Sequence, residues 1–432
     1  MKRNTLTAAA ALFIAAGAGL ASAGSLELDR DYASALRADA GARSVLNQGN
    51  LSNIELSVGV RFGYSYNRTN GNPISDNDTT IGFQTNEALV AIEGDVTENM
   101  HARISFDFGP NDSSSTATEG VAVLEDAYVD WSVNDDLTLR VGQFVPRYSA
   151  NRSVSEFKMM NTYRSVALES LGNMSWTQGI EAQFGGDNWD LWVGFNDGPG
   201  TGSTPFNASP SGTEADYSFN VRFDYYSDSN KARFDDQTSW RGSEAGWRIG
   251  AGIMYGSYGN TNPASVVFDS KNLFYTIDAA YEGDGWALRA AFYGSSFDPN
   301  ISTLSNPDHS NYGFEVGGSV FVSEQWEGFA RWDALFVEDG AAENQTNGED
   351  TFNFIAIGAN YYFVPESHAA KFTIEFGASL DETGDLTTGA AGGDTGVGVF
   401  GAGGTIGSSG YFQGLPGEDG QIMVSGTMQW LF

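Results

Sequence analysis

Between Ile54 and Tyr66 the chain alternates without a break. Ile54, Leu56, Val58, Val60, Phe62, Tyr64 and Tyr66 fall on one side; Glu55, Ser57, Gly59, Arg61, Gly63 and Ser65 fall on the other. Successive side chains of a strand point to opposite faces, so a period of two predicts a strand with one greasy and one wet face. The pattern returns to the end of the chain. Met100, Ala102, Ile104, Phe106 and Phe108 oppose His101, Arg103, Ser105 and Asp107, and Tyr217, Phe219, Val221, Phe223 and Tyr225 oppose Asp216, Ser218, Asn220, Arg222 and Asp224. Sixteen such segments occur, near 54–66, 85–94, 100–109, 126–133, 137–145, 176–184, 189–196, 216–226, 246–255, 272–283, 286–295, 311–322, 326–336, 351–363, 368–377 and 420–432.

The connections decide which all-β architecture these strands build. They alternate short and long: Thr97-Glu98-Asn99, Asn134-Asp135-Asp136, Asp284-Gly285, Ser323-Glu324-Gln325 and Pro365-Glu366-Ser367 are short, whereas the intervening ones run from about a dozen to about forty residues. Ser227 to Ala245 is long for the short side. Short turns on one rim, long loops on the other and an even strand number are the layout of a transmembrane antiparallel β-barrel. The greasy faces carry essentially no charge; Glu125, expected at the loop-side rim, is the exception. A soluble sandwich would cover such faces with a second sheet, but these are too many and too long unless lipid covers them. Trp131, Trp189, Trp247, Trp286, Trp326 and Trp430 fall near strand ends, where an aromatic girdle meets the membrane interface. The negative mean hydropathy is compatible with this, because a barrel strand shows only alternate residues to lipid.

The N-terminus reads as an export signal at 1–23: Lys2 and Arg3, an apolar stretch from Ala8 to Leu20, and the small-residue site Ala21-Ser22-Ala23. That stretch falls short of the about 20 apolar residues of a membrane anchor. Residues 24–50 follow, with Leu28, Tyr32, Ala35 and Leu36 at helical spacing. This helix is either solvated on the periplasmic side or a lumen plug, and the barrel occupies 51–432. Cysteine is absent, so an oxidising compartment is permitted and no disulfide framework exists.

Without Lys2 and Arg3, 20 basic residues remain of the 22, against 55 acidic ones. The balance excludes nucleic acid as a partner; bilayer lipid and small ions or solutes are the expected ones. The predicted inward face carries Arg61, Arg103, Arg140, Arg222, Arg248, Arg289, Arg331 and Lys371, against about sixteen acids that include Asp107, Asp126, Asp130, Glu181, Asp224, Asp278, Glu315, Asp333 and Glu375. One long connection, 146–175, reverses the trend with Arg147, Arg152, Lys158 and Arg164 against Glu156 and Glu169. Folded inward, it would set a transverse field across a constriction; the plainer reading is a loop held by ion pairs to the wall. Tyr128, Trp192, Phe274, Tyr293 and Tyr362 face inward as either a sugar slide or random filling.

The segments Leu124–Tyr148 (LEDAYVDWSVNDDLTLRVGQFVPRY) and Ile357–Gly377 (IGANYYFVPESHAAKFTIEFG) resemble the phosphate-selective porin O and P family. The resemblance implies a sixteen-stranded barrel, usually a homotrimer, whose third loop enters the lumen. It does not fix the ion, because Val145 stands where a family lysine is expected after the Gly-x-Phe of strand five.

Other function classes fare worse. A catalytic site would need one of the histidines beside a nucleophile, yet His101 and Ser105 lie about 13 Å apart along one strand face. Acidic stretches such as Asp76-Asn77-Asp78 and Glu349-Asp350 match no defined calcium-loop spacing, so no metal or cofactor is expected. A structural or adhesive barrel with an occluded lumen stays open as an alternative.

Overall fold

A computed structural model describes residues 54–68, 79–109, 122–172, 174–198, 214–259, 270–299, 309–338, 350–381 and 420–432. The export signal and the helix expected at 24–50 lie outside these residues. Sixteen strands form one closed antiparallel barrel in simple chain order. They are β1 (Ile54–Arg68), β2 (Thr79–Thr97), β3 (Met100–Asp107), β4 (Val123–Asn134), β5 (Leu137–Phe144), β6 (Thr177–Gly185), β7 (Trp189–Asn196) and β8 (Glu214–Tyr226). The second half runs β9 (Gly246–Gly259), β10 (Ser270–Gly283), β11 (Trp286–Pro299), β12 (His309–Phe321), β13 (Trp326–Phe336), β14 (Thr351–Tyr362), β15 (Ala370–Ser379) and β16 (Ile422–Leu431). All sixteen expected segments are present. β2 begins earlier than its alternation suggests, because Thr79 and Thr80 continue the ladder opposite Arg68 and Asn67.

Closure is made by β1 against β16, from Gly59 opposite Leu431 to Arg68 opposite Ile422. With no free edge, every strand's backbone is paired within the sheet, which a hydrocarbon surrounding demands. The side-chain phase follows the alternation. Leu56, Phe62, Ile180, Phe223, Ile253, Ile277 and Val424 are exposed on the outer face, while Asp107, Arg222, Asp278 and Glu375 are buried inside. Trp247 packs on Tyr225 at 5.8 Å, Trp286 on Tyr281 at 4.8 Å and Trp326 on Tyr361 at 5.0 Å, all at the short-turn end of the strands.

Glu125 departs from the expectation of a rim position on the outer face. Ile104 pairs with Ala127 but Phe106 pairs with Leu124, so both Glu125 and Asp126 stand opposite Ser105. That bulge lets neighbouring residues of β4 leave the strict alternation. Glu125 is consequently buried at 9 % exposure, and Gln143 donates to its carbonyl at 2.8 Å.

Candidate functional site

The connection after β5 turns into the barrel instead of lying over the rim. Two short helices shape it: α1 (Ala150–Ser153), capped by Ser149, and α2 (Val166–Leu171), capped by Ser165. In each, a serine hydroxyl accepts the backbone N–H three residues on, satisfying one orphan donor of the first turn. Val166, Ala167, Leu168 and Leu171 of α2 pack on Tyr293, Leu335, Phe352 and Phe354 of the inner wall. Phe352, Phe354 and Ala356 are apolar on the face that should be wet, a signal that the sequence analysis did not single out.

Charge-assisted and amide hydrogen bonds hold the rest of the loop across the lumen. Arg61 of β1 binds the Glu156 carboxylate and the Thr162 carbonyl. Arg331 donates to the carbonyls of Tyr163 (2.8 Å) and Arg164 (3.2 Å), and Lys371 to Met159 O at 2.6 Å. Glu315 accepts Ser165 Oγ at 2.6 Å and Asn151 Nδ2 at 3.1 Å. Gln429 reaches Phe157 O at 2.7 Å and Asn360 reaches Met160 O at 2.9 Å. On the opposite flank Arg222 donates to Tyr148 O at 3.0 Å, and Glu181 accepts Arg147 N at 3.0 Å. The fit to the wall is close. A Cβ on Gly252 would stand 2.0 Å from Tyr148 O, and one on Gly59 would stand 2.4 Å from the Phe157 ring. Side chains are excluded there because the loop occupies their space.

The four loop bases therefore divide. Arg164 is buried, donating to Asn151 O (2.6 Å) and Val154 O (2.9 Å) inside the loop itself. Arg152 donates to Met174 O at 2.8 Å and lies 5.2 Å from the Trp176 ring centre. Burial, and then the charge of Arg164, hold its guanidinium down to about 10. Arg147 lies 5.6 Å over the Trp192 ring. Neither Arg147 nor Lys158 makes a side-chain ion pair within 4 Å among the described residues.

The wall bases divide differently. Arg103 binds Glu93 (2.8 Å) and Asp126 (3.0 Å), and Arg140 binds both oxygens of Asp130 at 2.8 Å while lying 3.9 Å over Tyr128. Both side chains remain 24 % exposed, on the part of the wall that the loop leaves open. Arg222, Arg331 and Lys371 face inward as expected but are covered by the loop, so they are not open pore-lining groups. Arg222 sits between Asp224 and Asp278 with Arg248 beside it, a desolvated quartet whose charges answer one another. Arg289 meets Glu282 at 2.8 Å. Asp107 is buried and accepts the amides of Ala88 and Gly109, whereas Asp126 also accepts Trp176 Nε1 at 3.1 Å. The inward aromatics form no continuous slide: Tyr293 and Tyr362 are fully buried on Glu315 and Glu327, and Phe274 packs with Tyr148 and Met254.

Residues 56–256 match the family model for phosphate-selective porin O and P. Over this stretch the chain is similar to a family of outer-membrane porins. Its fold is also that of solved outer-membrane proteins. The outer membrane channel DcaP of Acinetobacter baumannii is similar with a TM-score of 0.54 at 12 % identity, covering 87 % of this chain and 97 % of that one. Outer-membrane expressed OmpT of Vibrio cholerae gives 0.52 at 12 % identity, over 88 % and 97 %. Salmonella typhi OmpF, in complex with daunomycin, gives 0.51 at 13 % identity, over 87 % and 97 %. No curated protein matches the sequence. Against the family's name, the eight wall bases of this barrel are all engaged, seven by carboxylates and Lys371 by a carbonyl.

Proposed function

We propose that this barrel is a porin that passes small hydrophilic solutes and ions by diffusion through a lumen narrowed by loop 146–175, without a phosphate-binding ladder. The engagement of every inward wall base carries this reading. A ladder for phosphate needs cations whose hydrogen-bonding capacity is free to meet the anion, and here the wall cations already hold carboxylates or the loop. Ranking by charge then falls to Arg147 and Lys158, the loop bases outside any close ion pair, and to the half-open rungs Arg103–Asp126 and Arg140–Asp130. Arg152, Arg164, Arg222, Arg331 and Lys371 act in this reading as braces that fix the width of the passage.

A catalytic role finds no support: His101 pairs with Asp95 at 3.1 Å while Ser105 is bound to Asp126. We carry a homotrimer as part of the proposal on the strength of the family resemblance, with bilayer lipid covering the remaining greasy surface. Single-channel recording of purified protein in planar bilayers tests the function. Ohmic conductance with modest selectivity between potassium and chloride is expected. Strong saturable block of chloride current by phosphate would replace this reading with an anion-specific channel, and no conductance at all would favour an occluded structural barrel.

A further inference from the structure

The short-turn rim has one connection out of series, residues 227–245 between β8 and β9, and it folds back against the inner wall. Its 3-10 turn, Lys231–Asp235, is followed by three buried polar residues, Gln237, Thr238 and Ser239. Arg289 donates to Asp236 O at 2.8 Å, Thr238 Oγ1 lies 3.3 Å from Tyr362 OH, and Ser239 Oγ binds Gly283 O. Trp240 packs edge-on against Tyr362 at 4.8 Å and on Phe321 at 5.3 Å. The segment is therefore seated at several points, unlike an ordinary solvated turn.

It also touches the constriction loop. Gln237 N donates to Lys158 O at 3.0 Å, and Gln237 Oε1 accepts Met160 N at 3.2 Å. A loop that enters from one rim and a turn that enters from the other thus meet at one side chain and three backbone groups. Two residues before that junction stands Asp235, exposed and without an ion pair within 4 Å among the described residues. Burial raises its carboxyl, and the bases that oppose this are Arg147, Lys158 and, last, Arg248; the first two are those without an ion pair within 4 Å among the described residues. Wall carboxylates nearby are already taken: Glu181 by Arg147 N and Asn220, Asp190 by Lys231, Asp224 and Asp278 by Arg222.

Resting on the channel reading above, we propose that Asp235 is the acidic counterpart of Arg147 and Lys158 at the narrow section and is a determinant of ion selectivity, so that the filter is assembled from both rims. Permeating ions pass between a pair of positive charges presented by the loop and a negative charge presented by the turn. Removing the carboxylate leaves the positive pair unopposed and favours anions; removing the pair does the reverse.

The test is the reversal potential in a tenfold KCl gradient for wild type, Asp235→Asn and the double variant Arg147→Gln/Lys158→Gln. Asp235→Asn is expected to lower the potassium-to-chloride permeability ratio by roughly fivefold, because one unit charge acting across about 8 Å of water-like medium changes the passage of each ion by about 2.4-fold, in opposite directions. The loop double variant should raise it. Because the natural chain has no cysteine, Asp235→Cys can be modified at that position alone while current is recorded. A sulfonate-bearing thiol reagent should restore the wild-type potential, and a trimethylammonium one should move it further toward chloride, in one and the same folded channel. If Asp235→Asn and both adducts keep the wild-type potential while the loop variant shifts, the turn has no part in the filter and the inference is overturned. If wild type does not conduct, the channel reading itself falls, and this inference with it.

Discussion

Lys371 Nζ lies 2.6 Å from the carbonyl oxygen of Met159, joining the start of β15 to a loop that entered the barrel from the opposite rim. The ammonium is buried. Leaving the Met159 carbonyl buried without its donor costs about 1–3 kcal/mol, so Lys371→Met should loosen the loop tip without disturbing the ladder. Single-channel traces of the variant should show frequent transitions between substates where wild type is steady. Traces indistinguishable from wild type would mean that the remaining ties hold the tip alone.

The lipid face gives a second expectation. Ile253 stands 45 % exposed on β9, pointing away from the lumen. Ile253→Arg should cost roughly 2–4 kcal/mol of folding stability in lipid vesicles, the depth-dependent penalty for a cation at the bilayer midplane. Met254, the next residue, is fully buried inside. Met254→Leu should cost less than about 1.5 kcal/mol, as a near volume-conserving exchange. Urea titration of the two variants separates them, and equal costs would refute the assigned phase.

The division among loop bases is separately testable. Arg147→Gln with Lys158→Gln should change the reversal potential and leave thermal stability nearly intact. Arg164→Gln should do the opposite, since it strips two backbone carbonyls of their buried donor at a cost of about 1–3 kcal/mol each. Should Arg164→Gln alone reproduce the selectivity change, the separation of filter from brace is mistaken.

Acid should loosen the turn at 227–245. His368 lies 3.6 Å from Asp236 and is packed by Trp240 at 5.3 Å. Burial holds the imidazole below its usual range, with Asp236 opposing in part. A depressed imidazole favours the folded turn while neutral, so its contribution is complete above the unfolded value of about 6.5 and is lost as pH falls below it. Asp236 does not share this window: burial would raise its carboxyl, but the neighbouring His368 leaves it below the ordinary value, so its contribution is lost only below the unfolded value of about 3.9. Amide hydrogen exchange at 236–240, corrected for intrinsic rates, should therefore accelerate between pH 7.5 and 5. His368→Asn should flatten that step, and a step that persists in the variant would assign it to another group.

The barrel was legible because its two faces meet different solvents. Seven alternating residues from Ile54 determine which way Arg61 points, whatever the rest of the chain does, since the period leaves no other phase. The loop's seat was harder to read. Phe352 and Phe354 looked like ordinary strand residues, and only the packing of α2 explains why a wet face carries them. Arg222 and Arg331 were correctly placed inside, yet whether an inward cation meets water or a carbonyl depends on which loop covers it, and alternation is blind to that. Asn151, Asn360 and Gln429 gave no signal, because a neutral amide becomes significant only when a loop carbonyl or a carboxylate arrives beside it. Glu125 was misplaced for a local reason: one extra residue at a bulge resets the phase of the alternation.

The pairing of β1 with β16 has a bearing on how the molecule is made. These two strands are the first and the last of the sixteen to be synthesised, and each is the other's missing neighbour. Until they meet, β1 and β16 both carry a row of unpaired N–H and C=O groups that lipid cannot satisfy. Insertion strand by strand, as a helical membrane protein can manage, is closed to this chain; the seam has to be sealed as the sheet enters the bilayer. Loss of β16 would therefore forfeit the whole barrel and not one part in sixteen of it, and the most distant pairing in the sequence is the one on which every other pairing in the membrane depends.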